Sequence, residues 1–264
     1  MTSEDLKNAA EVEDRREESD GAFRCPDCGG ALVEGTRGLN CASCTKAYPI
    51  RDGIVRFVTA TDLAGRDASF TKVYDLWGRF YDVSAKVWAG LFHGGDTRFR
   101  GDVASSLEIS RGYRVLETSI GTGGNIPYIG SFSCDLDIYG LDISAGMLDK
   151  CRKNLKKWGI AARLCQANAA ALPFEDDYFD CVYHLGGING FSDRERAISE
   201  MVRVAKPGTV VVISDETPKM CYSVALRSID LDPPVDMIPE GVEELDQREA
   251  VDGTMWVIKF RKPA

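Results

Sequence analysis

The chain lacks two features that would connect it with a membrane. No stretch approaches the ~18 consecutive apolar residues that a membrane-spanning helix needs. Residues 1–20 contain no apolar segment of the kind that a secretory signal has. We therefore expect a cytoplasmic protein, in which cysteines serve as thiols or metal ligands rather than as disulfides.

The chain is also short of basic residues. It has 32 Lys and Arg against 41 Asp and Glu, a net charge of −9 over 264 residues. Residues 1–20 carry eight acids and three bases without apolar periodicity, which predicts a disordered acidic tail. Residues 21–60 are slightly basic, and the remainder is acidic. A polyanion binds poorly to an acidic domain, so a nucleic acid is a less favoured partner than a small molecule.

Four cysteines near the start have the spacing of a metal site. Two C-x2-C pairs, Cys25 with Cys28 and Cys41 with Cys44, are separated by twelve residues. Each pair aims two thiolates at one point, and two such pairs supply the four sulfurs of a closed tetrahedral site. The spacing therefore predicts a structural metal in a small ribbon over residues 21–60. Zinc is favoured, although iron in a rubredoxin-like site has the same spacing.

The residues after the fourth cysteine carry a resemblance. The sequence YPIRDGI, residues 48–54, resembles the end of the Trm112-like zinc-ribbon proteins. That family serves as activating partners of methyltransferases. The resemblance implies a ribbon held together by its metal, since a module of this size has little apolar core.

The pattern at residues 114–125, RVLETSIGTGGN, is a short apolar strand followed by a glycine-containing turn. Glycine has no Cβ, so Gly121 and Gly123 let the backbone turn sharply and approach a ligand closely. A second strand, residues 138–141, ends at Asp142. An acid about twenty residues after such a loop can accept hydrogen bonds from ribose hydroxyls. The pattern predicts a nucleoside-cofactor site on a Rossmann-like sheet.

Two cofactors fit this loop. Read as G-x-G-x-x-G, the loop aligns with Ser119, Gly121 and Gly124 and would bind a dinucleotide. Read as acid-x-G-x-G-x-G, it begins at Glu117 and resembles motif I of class I S-adenosylmethionine (SAM) methyltransferases. Ser119 replaces a glycine in both frames, so the remainder of the chain must decide between them.

The C-terminal half favours the second frame. ALPFEDDYFD at 171–180 and RERAISEMVRVAKPGTVVVISDE at 194–216 are similar to the ubiquinone/menaquinone C-methyltransferase-like group, methyltransferase type 11. Residues 242–263 alternate around Asp252 and Gly253, which indicates a closing hairpin. We expect an α/β fold, with a Rossmann-like seven-stranded mixed sheet that ends in an antiparallel hairpin. We place this domain at 61–264, and the small zinc ribbon precedes it.

Aromatic residues recur at helical spacing between residues 66 and 95. They are Phe70, Tyr74, Trp77, Tyr81, Trp88 and Phe92. The spacing predicts one face of a helix, or of two helices, packed on the core. The segment is similar to the one before motif I in the same group, where it covers the active site. The resemblance therefore implies aromatic lid helices at 66–95.

The resemblance also assigns residues to SAM and its product, S-adenosylhomocysteine. It implies that Glu117 and the glycine loop hold the methionine end, Asp142 the ribose, and Asn168 with Ala169 the adenine. Asn168 stands where the group has an acid, and its amide oxygen can accept the same hydrogen bond. The expected cofactor-binding residues are Tyr74, Glu117, Ser119, Gly121, Gly123, Asn125, Asp142, Ile143, Met147, Asn168, Ala169, His184 and Leu185.

The catalytic candidates are His184 and Tyr81. His184 lies near the end of residues 181–185, which we predict to be the fourth strand. Imidazole titrates near neutral pH, as a general base must. In the alternative interpretation, His184 is a packed strand residue or contacts SAM.

Three functions follow from these patterns. The favoured one is methyl transfer from SAM to a small-molecule acceptor, in a protein that can form a homodimer. The second is methylation of ribosomal or transfer RNA, with the ribbon recognising RNA. The third is a non-enzymatic SAM-binding scaffold or partner-activating module.

Overall fold

A computed structural model describes residues 21–58, 63, 67, 71, 96–129, 135–219 and 231–264. The predicted acidic tail and almost all of the predicted lid segment lie outside these residues, and so do Tyr74 and Tyr81. Among the helices in the described ranges, none is long and apolar enough to cross a membrane.

The described residues form eleven strands and three α-helices. The strands are β1 (Leu32–Gly35), β2 (Gly38–Cys41), β3 (Ala47–Arg51), β4 (Ile54–Arg56), β5 (Arg114–Thr118), β6 (Asp137–Asp142), β7 (Arg163–Gln166), β8 (Cys181–Leu185), β9 (Val210–Glu216), β10 (Glu243–Ala250) and β11 (Met255–Arg261). The helices are α1 (Asp96–Ala104), α2 (Ala145–Trp158) and α3 (Arg194–Val204).

All eleven of these strands belong to one sheet, in the order β1-β2-β3-β4-β7-β6-β5-β8-β9-β11-β10. From β4 to β9 neighbouring strands run parallel, whereas β11 is antiparallel to both β9 and β10. The seven strands β5 to β11 are the predicted mixed sheet with its closing hairpin. The sheet has more strands than predicted, because the four strands of residues 32–56 extend it at one edge.

The central strands are apolar because both of their faces are covered. All of β9 except its last residue, Glu216, is buried, and so is all of β8 except Leu185. Near-continuous apolar runs are typical of parallel strands with helices on both faces. Consecutive residues of β8 belong to different apolar clusters, Val182 to one and Tyr183 to the other.

Helix α2 begins at a capping serine and ends at a glycine. The Ser144 side chain accepts a hydrogen bond from the Met147 backbone N–H at 3.1 Å, which caps the first turn. Gly159 ends the helix with φ of 70°, a left-handed conformation that suits glycine. The cap places the start of the helix directly after β6, and therefore beside Asp142.

The cysteine ribbon is continuous with the sheet. Strand β4 pairs in parallel with β7, with Val55 opposite Cys165 and Arg56 opposite Gln166. The Phe23 ring lies 5.4 Å from both Phe57 and Phe174, so aromatic side chains bridge the two regions. Ribbon and sheet therefore share one hydrogen-bonded ladder and one apolar cluster.

The closing hairpin has the predicted turn. Residues 251–254 connect β10 and β11, and Asp252 and Gly253 have positive φ values of 58° and 79°. This confirms the expectation from the Asp-Gly pair, since aspartate and glycine tolerate that conformation.

Candidate functional site

The glycine loop after β5 has the sharply turned backbone that its sequence implies. Gly121 and Gly123 have φ values of 56° and 78°, and a Cβ on Gly123 would lie 2.9 Å from the Cys151 sulfur. Ser119 also has a positive φ, 55°, although it has a side chain. A left-handed conformation is costly for a non-glycine residue. The loop nevertheless keeps the backbone shape of the glycine motif at Ser119, where the sequence has no glycine.

Asp142 joins this loop to the start of α2. Its Oδ2 accepts a hydrogen bond from the Gly121 N–H at 3.0 Å, and its Oδ1 accepts one from the Ser144 N–H at 2.8 Å. The carboxylate lies at the carboxyl end of β6 and lines a cavity. Ligands bind at this edge of an open parallel sheet.

The cavity encloses about 230 Å³ beyond the ends of β5, β6, β8 and β9. Nine of the predicted cofactor-binding residues line it: Ser119, Gly121, Asn125, Asp142, Ile143, Met147, Asn168, Ala169 and Leu185. Glu117, Gly123 and His184 are not among the described residues that line it. Tyr74 and Tyr81 lie outside the described part of the chain.

Glu117 lies behind the cavity wall. It is fully buried, and its carboxylate accepts hydrogen bonds from Asn125 Nδ2 at 2.6 Å and from the Tyr183 hydroxyl at 3.0 Å. Burial raises the pKa of Glu117 to about 7. Asn125 also accepts a hydrogen bond from Arg100, a cavity-lining residue. Glu117 is therefore placed to orient Asn125, which itself lines the cavity.

Asn168 has a local role beside the one predicted by resemblance. Its Oδ1 accepts a hydrogen bond from the Ala170 N–H at 2.9 Å, and its Nδ2 lies 3.4 Å from Asp67 Oδ2. The amide oxygen thus already holds the turn after β7. An oxygen has two lone pairs, so a bond to adenine remains available beside this one.

The position of His184 argues against its prediction as a general base. The ring is fully buried, and its Nδ1 lies 3.0 Å from the Thr118 carbonyl oxygen, to which it donates. Burial lowers the pKa of His184 to about 4, so the ring is neutral at pH 7. Within the described residues Nε2 has no hydrogen-bond partner, and the ring packs edge-on against Phe191, with centroids 5.2 Å apart. The alternative of a packed strand residue agrees better with this geometry.

Sequence reasoning missed three groups at the site. Arg100 lies in α1, before the glycine loop in the chain, and belongs to no sequence motif. Only the fold brings α1 beside the loop. Asp215 and Glu216 end β9 and line the cavity. The rule that singled out Asp142, an acid at the end of a parallel strand, would have found them.

The four ribbon cysteines converge as their spacing predicts. Their sulfurs all lie within 4.8 Å of one another, with Cys25 to Cys44 at 3.8 Å and Cys28 to Cys41 at 3.5 Å. Four sulfurs at the usual Zn–S distance of about 2.3 Å lie about 3.8 Å apart at the corners of a tetrahedron. The backbone N–H groups of Ser43 and Cys44 point at the Cys41 sulfur, at 3.4 and 3.3 Å. The donor set and its spacing fit a tetrahedral metal ion.

Comparison with known proteins identifies the central part of the chain. Residues 116–213 match the family model described as a methyltransferase domain. Residues 116–213 carry a methyltransferase domain of this family. The matched region runs from β5 to β9 and includes the glycine loop, Asp142 and the Lys206-Pro207-Gly208 turn.

Curated relatives match about half of the chain. A ubiquinone/menaquinone biosynthesis C-methyltransferase of Edwardsiella ictaluri is 32% identical over 57% of this chain and 59% of its own length. A demethylmenaquinone methyltransferase of Thermus thermophilus is 30% identical over 56% of this chain and 66% of its own. The chain thus spans less than two thirds of these relatives.

Solved structures share the fold. The [4+2]-cyclase SpnF superposes with a TM-score of 0.59 at 17% identity, covering 74% of this chain and 95% of SpnF. A chain from the complex between the Haloferax volcanii Trm112 methyltransferase activator and a methyltransferase superposes with a TM-score of 0.56 at 16% identity. The match covers 72% of this chain and 98% of that one. Because one of these proteins is a cyclase by name, the fold alone does not specify the reaction.

Proposed function

We propose that the protein transfers a methyl group from SAM to a small-molecule acceptor. The observation that carries the proposal is Asp142, a cavity-lining carboxylate that is hydrogen-bonded to the glycine loop at Gly121. SAM supplies an electrophilic methyl group on a sulfonium. The protein contributes mainly by positioning, because methyl transfer is an in-line displacement.

The cavity residues divide into roles along the sheet edge. Asp142 accepts hydrogen bonds from the ribose hydroxyls, and Asn168 with Ala169 contacts the adenine. The glycine loop and Asn125 hold the methionine end, with Glu117 and Tyr183 fixing the Asn125 amide from behind. Tyr74 and Tyr81 remain candidates for covering the site from the segment at 66–95.

The charge of the cavity supports a small acceptor over RNA. Among its described lining residues are five acids, Asp67, Asp142, Asp193, Asp215 and Glu216, and one base, Arg100. Such a lining repels a polyanion, whereas RNA-binding sites are rich in Lys and Arg. The names of the curated relatives, which refer to quinone biosynthesis, agree with a small-molecule acceptor.

The ribbon is proposed as a structural zinc module. Its four sulfurs leave no coordination position open for a substrate, which distinguishes structural from catalytic zinc. The proposed division is a ribbon over 21–60 and a methyltransferase domain over 61–264. We assign the ribbon the role of supporting the sheet edge at β7, because β4 pairs there.

Calorimetric titration with SAM and with NADH tests the cofactor assignment. We expect micromolar binding of SAM and none of NADH. The reverse result would return the glycine loop to the dinucleotide frame that starts at Ser119.

A second experiment tests the reaction. Labelled SAM is incubated with the protein and with separate small-molecule and RNA fractions of a cell extract. Label in the small-molecule fraction supports the proposal, and label in RNA would favour the second function. Tight SAM binding without transfer to either fraction would favour a scaffold.

A further inference from the structure

The far end of the cavity, away from the glycine loop, is built from the ends of β8 and β9. The loop after β8 passes over this end through Gly186 and Gly187, whose φ values are 91° and 115°. Two side chains that face the cavity here, Asn189 and Glu216, have acceptor oxygens that the described protein does not use.

Asn189 is held firmly but incompletely satisfied. Its backbone N–H donates to Asp215 Oδ2 at 2.7 Å, and its Nδ2 donates to the Glu216 carbonyl oxygen at 3.2 Å. The residue is 5% exposed, yet its Oδ1 is a buried atom without a hydrogen-bond partner among the described residues. Buried acceptors in native proteins are paired with few exceptions, so this oxygen indicates a missing ligand.

Glu216 offers a second acceptor beside it. The carboxylate lines the cavity and takes part in no hydrogen bond or ion pair with a described side chain. Burial raises the pKa of Glu216 to about 7, and the neighbouring Asp215 adds to the effect. A buried carboxylate of this kind is stabilised by any group that donates a hydrogen bond to it.

Asp215, by contrast, is already bonded to three backbone N–H groups of the protein itself. Its carboxylate accepts from the backbone N–H groups of Asn189 and Glu216, at 2.7 and 2.8 Å, and from Gly187. It therefore fixes the loop after β8 and orients Asn189. The groups left for a ligand are the Asn189 oxygen and the Glu216 carboxylate.

We propose that Asn189 Oδ1 and the Glu216 carboxylate bind a hydrogen-bond-donating group, O–H or N–H, on the methyl acceptor. The inference rests on the proposed function. With Glu216 ionised, both protein groups are acceptors, so an ether, ester or ketone oxygen cannot satisfy them, whereas a hydroxyl or an amine can. The acids around them also disfavour an anionic acceptor such as a carboxylate or phosphate.

Binding to the S-adenosylhomocysteine-loaded protein tests this, with matched probes observed by NMR. Phenol is compared with anisole, which lacks the O–H. Benzylamine is compared with benzyltrimethylammonium, which keeps the charge without an N–H. We expect the donor of at least one pair to bind about tenfold more tightly than its partner, as a hydrogen bond to a buried acceptor implies. The pair that shows the preference distinguishes a hydroxyl from an amine.

Three variants assign the preference to these residues. Asn189→Leu and Glu216→Leu should each reduce it to about twofold, whereas Glu216→Gln, which restores an acceptor oxygen, should recover the phenol preference. Glu195→Gln removes an exposed acid on α3 and should behave as wild type. All four variants should bind SAM as the wild type does.

The outcomes separate this inference from the proposed function. Failure of the wild type to bind SAM overturns the proposed function. Normal SAM binding, with equal affinity within each pair or with neither donor bound, overturns only the inference. Weaker SAM binding by Asn189→Leu and Glu216→Leu would assign these oxygens to the cofactor and would also overturn it.

Discussion

The ribbon and the methyltransferase sheet are parts of one ladder, yet different forces hold them. In β9 the apolar side chains are buried on both faces, and no metal is needed to order them. In the ribbon, Val33 and Ile50 are 50% and 44% exposed, and four cysteines converge on one point. Short strands with little buried surface offset little of the entropy of ordering a chain, which agrees with the proposal that a metal holds the ribbon together.

The comparison also shows where the two regions depend on each other. Strand β4 has all three residues buried, unlike the three ribbon strands before it, because it lies against β7. The ribbon thus gains from the sheet a buried edge that it lacks alone. In return it covers the edge of β7, which would otherwise expose unpaired backbone groups.

Metal removal should have the largest effect and should fall on one side of the comparison. We expect Cys41→Ser to release the metal and unfold β1 to β3, since structural zinc contributes on the order of 10 kcal/mol in small domains. Zinc analysis and hydrogen exchange measure this, with protection lost in β2 and β3 and retained in β8 and β9.

Cys181→Ala, at a buried cysteine of the sheet, is the matched control and should keep the metal. Equal loss of protection in β2 and β9 of the Cys41→Ser variant would mean that ribbon and sheet unfold as one unit.

Substitution at the cofactor site should affect only the sheet side. Asp142→Ala removes the carboxylate that is proposed to accept from the ribose hydroxyls and that accepts from the Gly121 and Ser144 N–H groups. Hydrogen bonds to a charged group contribute about 1.5–3 kcal/mol each, so SAM affinity should fall about 100-fold or more. Calorimetry measures the affinity, and zinc content should not change.

The control for this prediction is Asp246→Asn, on the exposed face of β10, which should bind SAM normally. An unaltered SAM affinity in Asp142→Ala would remove the central support for the cofactor assignment.

A smaller effect should mark the boundary between the two regions. Arg56 is 9% exposed, and it donates to Gln166 at 3.2 Å and contacts Asp149 at 3.5 Å. Arg56→Met leaves the Gln166 acceptor unpaired and should cost about 1–3 kcal/mol of unfolding free energy. Urea denaturation measures this loss.

The matched control is Arg51→Met, an exposed residue of the same hairpin, which should cost little. Similar costs for the two variants would show that Arg56 does not connect the ribbon with the sheet.

The smallest effect at neutral pH concerns His184, which lies in the sheet region. Its pKa is lowered to about 4 in the folded protein by burial, so the unfolded chain binds the extra proton between pH 4 and 6.5. The stability due to a neutral His184 is complete above pH 6.5 and is lost as the pH falls toward 4. His184→Asn keeps a donor toward Thr118 and should lose less stability over this range.

Urea midpoints of the wild type and His184→Asn, compared from pH 7 to 4.5 with zinc content measured at each point, test this. A constant difference between the two midpoints over the whole range would contradict it. Acid release of zinc would appear in both proteins and would not change the difference.

The motif residues at the site were predictable because short sequence patterns set the local backbone. The glycine loop, the Ser144 cap, the Asp252–Gly253 turn and the cysteine pairs each rely on residues a few positions apart. Asp142 was predictable because an acid at the end of a parallel strand faces the ligand edge in this fold class.

The sequence by itself therefore determined the class of domain, the cofactor loop and the convergence of the cysteines. Tertiary structure alone decided that β4 joins β7, that Arg100 reaches Asn125, and that His184 is buried rather than exposed to the cavity. It also decided that Asn189 keeps an unused oxygen next to Glu216. The physical reason is that such contacts join residues far apart in the chain, and their partners depend on how the strands and helices pack, which no local spacing records.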